Sequence, residues 1–306
     1  MKNILTGLIA APSTPMHEDG SINLTIIPEY AAHLRRSGVA GVFVNGTTGE
    51  SLSLTLQERL DLATAWAAVC DNDLKLIIHV GDNSLPVARQ LAAQAQEIGA
   101  VATGAIAPTF FNPTVTDLAD WCRQLASAAP ELPFYYYHMP SRTGIKFPLI
   151  DLLEHVGDIP NFAGAKFTSE DLMDYQMARE MSDGRYDILF GRDEIFLAFL
   201  AVGAHGAVGS TYNFMAPVYL RIMEAWQSQD FATARLWQSR SQALVRILRQ
   251  AHNGVACGKA ILNLAGIAVG PGRAPLPTYS NGQMEELRQK LDQIGFFRWK
   301  DGTDPG

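Results

Sequence analysis

The run Phe162-Ala163-Gly164-Ala165-Lys166-Phe167-Thr168 reads as a short strand of small and apolar residues with a lysine near its end. What flanks it decides the fold. On both sides, short β-branched or aromatic runs alternate with longer segments of helical period. Strands are expected at Leu8 to Ala11, Val42 to Val44, Leu76 to His79, Ala102 to Ala107, Phe134 to His138, Phe162 to Lys166, Ile188 to Phe190 and Ala207 to Gly209. Between them, Leu24 to Arg36, Leu56 to Val69, Pro86 to Ile98 and Leu118 to Ala128 carry apolar residues every three or four positions, as helices do. This alternation is the pattern of βα units around a parallel sheet. Eight such units close into an α/β structure, the (β/α)8 TIM barrel, whereas an open doubly wound sheet usually has about five or six strands.

Local signals fix the register. Thr55 precedes Leu56 with Glu58 three positions on, a capping box that starts the second helix. The barrel is expected to span 1–229. Beyond it a C-terminal helical extension, 230–306, should hold helices at Phe231 to Ala251, Ala256 to Ala265 and Gln283 to Ile294, interrupted by the Gly/Pro-rich segment Gly270 to Pro277. The length of 306 residues suits a barrel of about 250 plus such an appendage.

Composition narrows the chemistry. With 47% hydrophobic and 18% charged residues the chain is globular, and its size needs no metal or disulfide to hold a core. Cys70, Cys122 and Cys257 lie far apart, which excludes a zinc ribbon or disulfide framework and makes a reducing cytoplasm the default. The formal charge of −7 comes without a basic cluster, so neither nucleic acid nor an anionic membrane is an expected partner. Met1 to Ala11 reads as a first strand and not a signal peptide, since Thr6 and Gly7 interrupt it. The apolar run Ile195 to Ala204 is about half of a bilayer crossing. No P-loop, HExxH or helix-opening GxGxxG is present, so nucleotide, zincin and dinucleotide chemistry have no support.

In a TIM barrel the active site lies at the C-terminal ends of the strands. Lys166, one of seven lysines, stands at such an end. With a period of two, Phe162, Gly164, Lys166 and Thr168 share a face, expected to be the barrel interior. Burial there disfavours the ammonium and favours the neutral amine that attacks a ketone. On the fifth strand Tyr135 and Tyr137 face one way and Tyr136 the other. Tyr137, nearest the C-terminal end, is the candidate proton shuttle. After the second strand, Gly46-Thr47-Thr48-Gly49-Glu50 offers glycines for tight geometry and a nest of neutral donors at Thr47 and Thr48 for a carboxylate.

GTTGES at 46–51, YxxP at 137–140, GAKFTS at 164–169 and GSTYN at 209–213 together resemble the pyruvate-dependent class I aldolase superfamily, which includes dihydrodipicolinate synthase and N-acetylneuraminate lyase. The resemblance covers essentially the whole chain. It implies a covalent imine on Lys166, proton transfer by Tyr137, carboxylate binding by Thr47 and Thr48, and no metal or other cofactor. The segment Gly191-Arg192-Asp193-Glu194, followed by Ser210, is similar to the sialic acid lyase pattern, which implies that Thr168, Gly191, Asp193, Glu194 and Ser210 position sugar hydroxyls. Vicinal hydroxyls are donors, and carboxylates are strong acceptors for them. Asp193 and Glu194 could equally cap the seventh helix.

The expected reaction is thus the reversible aldol cleavage of N-acetylneuraminate to N-acetylmannosamine and pyruvate. Its partners are a small keto acid and a sugar; the resemblance implies a homotetramer, and the aromatic loop at Phe110 and Phe111 is a candidate contact. Those phenylalanines replace the proton-relaying tyrosine usual in the synthases. Ser141-Arg142-Thr143-Gly144, however, resembles the synthase motif, whose arginine contacts a second carboxylate. Another aldolase or dehydratase of 2-keto-3-deoxy sugar acids, dihydrodipicolinate synthase, or a catalytically silent keto-acid- or sugar-binding member of the fold are the alternatives.

Overall fold

All eight expected strands form: β1 Gly7–Ala10, β2 Gly41–Val44, β3 Lys75–His79, β4 Ala102–Ile106, β5 Phe134–His138, β6 Phe162–Phe167, β7 Asp187–Phe190 and β8 Gly206–Gly209. In the computed structural model, which describes residues 5–303, they pair in parallel in chain order and β8 returns to β1, closing the barrel. Residues 1–4 and 304–306, included in the spans expected for the barrel and the extension, lie outside the described residues.

Both faces of each strand are covered, and alternate side chains go to different layers. Ile9, Phe43, Ile77, Tyr135, Leu189 and Val208 fill the barrel interior, while Leu8, Val42, Ile78, Tyr136 and Ile188 pack outward against the helices. Tyr135 and Tyr137 therefore do share the inner face. Each fully buried aliphatic side chain contributes roughly 1.5–3 kcal/mol through removal of its surface from water. The helix Leu56–Ala67 starts at the expected capping box, with Thr55 accepting from the Glu58 N–H and Glu58 accepting from Thr55.

One expectation on β6 is corrected. Phe162 does not share the interior face; it packs outward with Phe134 and Tyr186. The pairing steps from Phe134↔Phe162 to Tyr135↔Gly164, so Ala163 is an extra residue in the ladder. Such a bulge breaks the period of two and turns the side chains beyond it. Past the bulge the alternation resumes, and Ala165 and Phe167 face the helices. Lys166 falls on the opposite, inner side.

The helices Phe231–Gln250, Gly254–Leu264, Asn281–Gln293 and Phe296–Trp299 follow the last barrel helix, Tyr212–Gln227. A buried ion pair ties them to the loop after β2. Lys259 Nζ donates to Glu50 Oε1 at 2.9 Å and to the Thr14 carbonyl at 2.8 Å, with both charged side chains 1% exposed. The Arg273 N–H donates to the other Glu50 oxygen at 2.8 Å, and its guanidinium pairs with Glu58, whose pKa it lowers to about 2.

Candidate active site

Register places the central pair. On adjacent strands Tyr137 lies opposite Lys166, and Lys166 opposite Leu189. Lys166 is 5% exposed, with Nζ 3.9 Å from the Tyr137 ring centroid and 4.7 Å from that of Phe43. Among the described residues no carboxylate pairs with this amine, so its contacts are the faces of two aromatic rings. The Tyr137 hydroxyl donates to Met139 Sδ at 3.1 Å, a weak acceptor that a substrate oxygen can displace. His79 stands edge-on to Tyr137, its Nε2 accepting from the Ile106 N–H at 3.1 Å. Burial, reinforced by the charges of Arg59 and Lys166, holds the His79 pKa well below the usual range and keeps the ring neutral.

In the loop after β2 the glycines do not carry the left-handed torsions. Asn45 (φ 60°) and Glu50 (φ 59°) adopt the left-handed conformation instead. The glycines supply space: a Cβ at Gly46 would lie 3.0 Å from the Phe43 ring, and one at Gly49 would lie 3.2 Å from the Pro12 carbonyl. The Asn45 amide donates to the Arg59 carbonyl, and the Glu50 N–H to the Thr47 carbonyl at 3.1 Å. Among the described residues the N–H groups of Thr47 and Thr48 have no backbone acceptor, leaving two donors for an anion.

At the ends of β6, β7 and β8 the chain packs backbone against side chain. Thr168 is 6% exposed and its hydroxyl is buried without a partner; a Cβ on Gly191 would come within 2.2 Å of it, so only glycine fits. Asp193 is also buried. Its Oδ2 accepts from the Thr211 N–H at 3.0 Å and hydroxyl at 2.6 Å, and a Cβ on Gly209 would touch its Oδ1 at 2.0 Å. Burial raises the Asp193 pKa, with the Thr211 bonds opposing it. Glu194 accepts from Arg249 at 2.6 Å and from Arg192 at 3.4 Å. Neither acid caps a helix: Asp193–Ile195 is a single 3-10 turn, and the helix Phe196–Ala201 that follows has no side-chain cap.

Cavities open at both rims of the barrel. One of about 500 Å³ is lined by Thr48, Arg142, Glu194 and Ser210, each following the C-terminal end of a different strand. A larger one, of about 810 Å³, opens among Pro133, Asn161, Tyr186 and His205 at the opposite rim. There Asp187 joins His205 at 2.6 Å, the Tyr135 hydroxyl at 2.7 Å and the Leu5 N–H at 2.9 Å, closing the floor of the barrel. Catalysis in this architecture belongs to the C-terminal rim, and the smaller cavity is the candidate site. It gathers Thr48, Arg142, Glu194 and Ser210; Lys166, Tyr137, Thr47, Thr168, Gly191 and Asp193 are not among its lining residues.

A family model described as the dihydrodipicolinate synthetase family matches residues 4–294. The chain belongs to that family. It is 41% identical to an N-acetylneuraminate lyase of Pongo abelii, covering 99% of this chain and 97% of the relative. The solved N-acetylneuraminate lyase of Proteus mirabilis superposes with a TM-score of 0.93 at 40% identity, covering 96% of this chain and 100% of that one. The sialic acid aldolase of Aliivibrio salmonicida gives 0.92 at 38%, with 96% and 98% covered.

Sequence reasoning missed residues that the family fold brings to the rim from a distance. Arg249, His252 and Asn253, in and just beyond the helix Phe231–Gln250, line the same cavity as Thr48. No local pattern announces them. Arg192 was within reach, since it interrupts the quoted Gly191-Asp193-Glu194 run. Among the described residues no group of three or more His, Cys, Asp or Glu side chains is disposed to hold a metal ion, and no helix is long and apolar enough to cross a membrane.

Proposed function

We propose that this chain is an N-acetylneuraminate lyase working through a Schiff base. The observation that carries the reading is Lys166, inside the barrel mouth against the Tyr137 ring at 3.9 Å and bonded to no acid. The Lys166 amine adds to the C2 ketone of the open-chain sugar acid, and water leaves to give the imine. The C4 hydroxyl then loses its proton through Tyr137, the C3–C4 electron pair moves into the iminium, and the C4 fragment departs as the aldehyde N-acetylmannosamine. Protonation of the enamine at C3 and hydrolysis release pyruvate and restore the amine. The lysine serves in place of a cofactor.

Thr47 and Thr48 bind the substrate carboxylate through their N–H and hydroxyl groups. Thr168, Glu194 and Ser210 bind sugar hydroxyls, Gly191 makes room for Thr168, and Asp193 acts through the Thr211 turn. Glu194 and Ser210 line the cavity with Thr48, which supports their part in sugar binding. Arg142 favours a second reading, an aldolase for a more acidic acceptor. With pyruvate supplied, N-acetylmannosamine should be consumed at least about tenfold faster than aspartate semialdehyde, a difference of about 1.4 kcal/mol in transition-state binding. The reverse order would reject the lyase assignment in favour of the synthase.

The assembly we infer is a cytoplasmic homotetramer. Three free cysteines, two of them buried, suit a reducing compartment. Phe110 and Phe111 are 87% and 79% exposed on the loop after β4, and two adjacent phenyl rings in water are an apolar patch that association would cover. Phe110→Ser combined with Phe111→Ser should shift the sedimentation coefficient to that of a smaller species. An unchanged value would place the contact elsewhere.

A further inference from the structure

We propose that His79 is a positioning residue for the proton transfer: a ring fixed by the Ile106 amide that sets the angle of the Tyr137 phenol. The proposal deepens the Schiff-base reading of Lys166 and Tyr137 and rests on it. His79 ends β3 and is 1% exposed.

Three rings meet beside the Lys166 amine. Phe43 on β2, His79 on β3 and Tyr137 on β5 pack pairwise edge to face, an arrangement that aromatic rings prefer over a face-to-face sandwich. Centroids are 5.7 Å apart for Phe43 and His79, 6.0 Å for Phe43 and Tyr137, and 6.2 Å for His79 and Tyr137. The strand between β3 and β5 has no side chain at this level. His79 pairs there with Gly104, and a Cβ on Gly104 would lie 2.7 Å from the Phe43 ring. Rings rooted on β2 and β3 thereby reach across β4 to Tyr137.

The end of the β3–β4 ladder fixes His79. Its Nε2 accepts from the Ile106 N–H at 3.1 Å, and Gly81 leaves room for the ring, since a Cβ there would lie 3.0 Å from the same nitrogen. Arg59 holds the backbone by donating to the His79 and Gly81 carbonyls at 3.0 and 3.1 Å. An amide N–H can only donate, so Nε2 is the bare nitrogen and the ring carries its proton on Nδ1. Protonating Nε2 would set one N–H against another. The charges of Arg59 and Lys166 oppose it as well. A ring so pinned moves no proton, and its effect on the reaction is geometric. The Tyr137 hydroxyl has only the weak acceptor Met139 Sδ, at 3.1 Å, so contacts along the ring decide where that hydroxyl points. Misplacing a reacting group by about 1 Å can cost about 10²-fold in rate.

His79→Gln tests the role, because the glutamine carbonyl can still accept from Ile106 while the ring is lost. For N-acetylneuraminate cleavage, kcat should fall about tenfold or more, with KM within about twofold of native and pyruvate trapped by borohydride at the native rate. Made in Tyr137→Phe, the same change should lower kcat by less than about twofold, since no hydroxyl remains to be misplaced. A general loosening of the barrel would instead lower kcat by the same factor in both backgrounds, and that result would overturn the proposal. So would native kcat in His79→Gln, or loss of trapping, which would put the effect on Lys166. His79→Phe keeps a ring edge but strands the Ile106 N–H. It should melt below the native protein yet retain more of kcat than His79→Gln, and the reverse order would show that the ring is not what Tyr137 needs. Full turnover in Tyr137→Phe alone is a separate failure: it removes the phenol from the mechanism, and the positioning role goes with it.

Discussion

Lys166→Ala is expected to lower kcat for N-acetylneuraminate cleavage by about 10⁴-fold or more and to eliminate the pyruvate adduct trapped by borohydride. Alanine has no atom that can bond to C2, so the electron sink for C3–C4 cleavage is lost outright rather than weakened. The barrel should survive, because β6 is held by its ladder to β5 and β7 and by Ala165 and Phe167 against the helices, none of which involves the amine. Tyr137→Phe separates the two halves of the chemistry. The ring that packs at 3.9 Å from Nζ is retained, so pyruvate should still be trapped, while loss of the hydroxyl should lower kcat by about 10²–10⁴-fold through the missing proton transfer. Mass spectrometry of the reduced adduct and steady-state kinetics read the two effects independently. An adduct at native level in Lys166→Ala would move the nucleophile to another residue, and full turnover in Tyr137→Phe would remove the phenol from the mechanism.

That contrast depends on positions that the sequence makes legible. Eight apolar runs between amphipathic segments specify a closed parallel barrel, because period and order are local properties of the chain. Lys166 and Tyr137 could be paired because both end strands that are neighbours in such a barrel. The bulge at Ala163 is less legible: its residue types are those of a regular strand, and only the ladder opposite Phe134 and Tyr135 reveals the extra residue. Likewise Asp193 and Glu194 are adjacent in sequence, but one turns into the Thr211 backbone and the other toward Arg249. Their different environments come from segments far along the chain. Arg249 and His252 at the rim, and Lys259 beneath the loop after β2, are long-range contacts of the same kind.

Lys259 carries the second large expectation. Lys259→Met should destabilise the protein by about 3–5 kcal/mol, because it removes one partner of an ion pair whose side chains are both 1% exposed and strands the Glu50 carboxylate in the interior. For a chain of this size that corresponds to a fall in Tm of about 10 °C. Burial already lowers the Lys259 pKa, and Glu50 opposes that shift, so the ammonium depends on its partner as much as the carboxylate does. The double variant Lys259→Met with Glu50→Gln should recover part of the loss, since it leaves no buried charge unpaired. The pair also reaches the substrate. Glu50 holds a left-handed torsion and its N–H donates to the Thr47 carbonyl, so a loosened Glu50 frees the segment that presents the Thr47 and Thr48 donors. KM for N-acetylneuraminate should therefore rise severalfold in Lys259→Met, with pyruvate trapping on Lys166 retained. A variant that melts with the native protein would show that the pair is dispensable to the fold. One that is destabilised but keeps its native KM would show that the pair holds the extension without setting the carboxylate site.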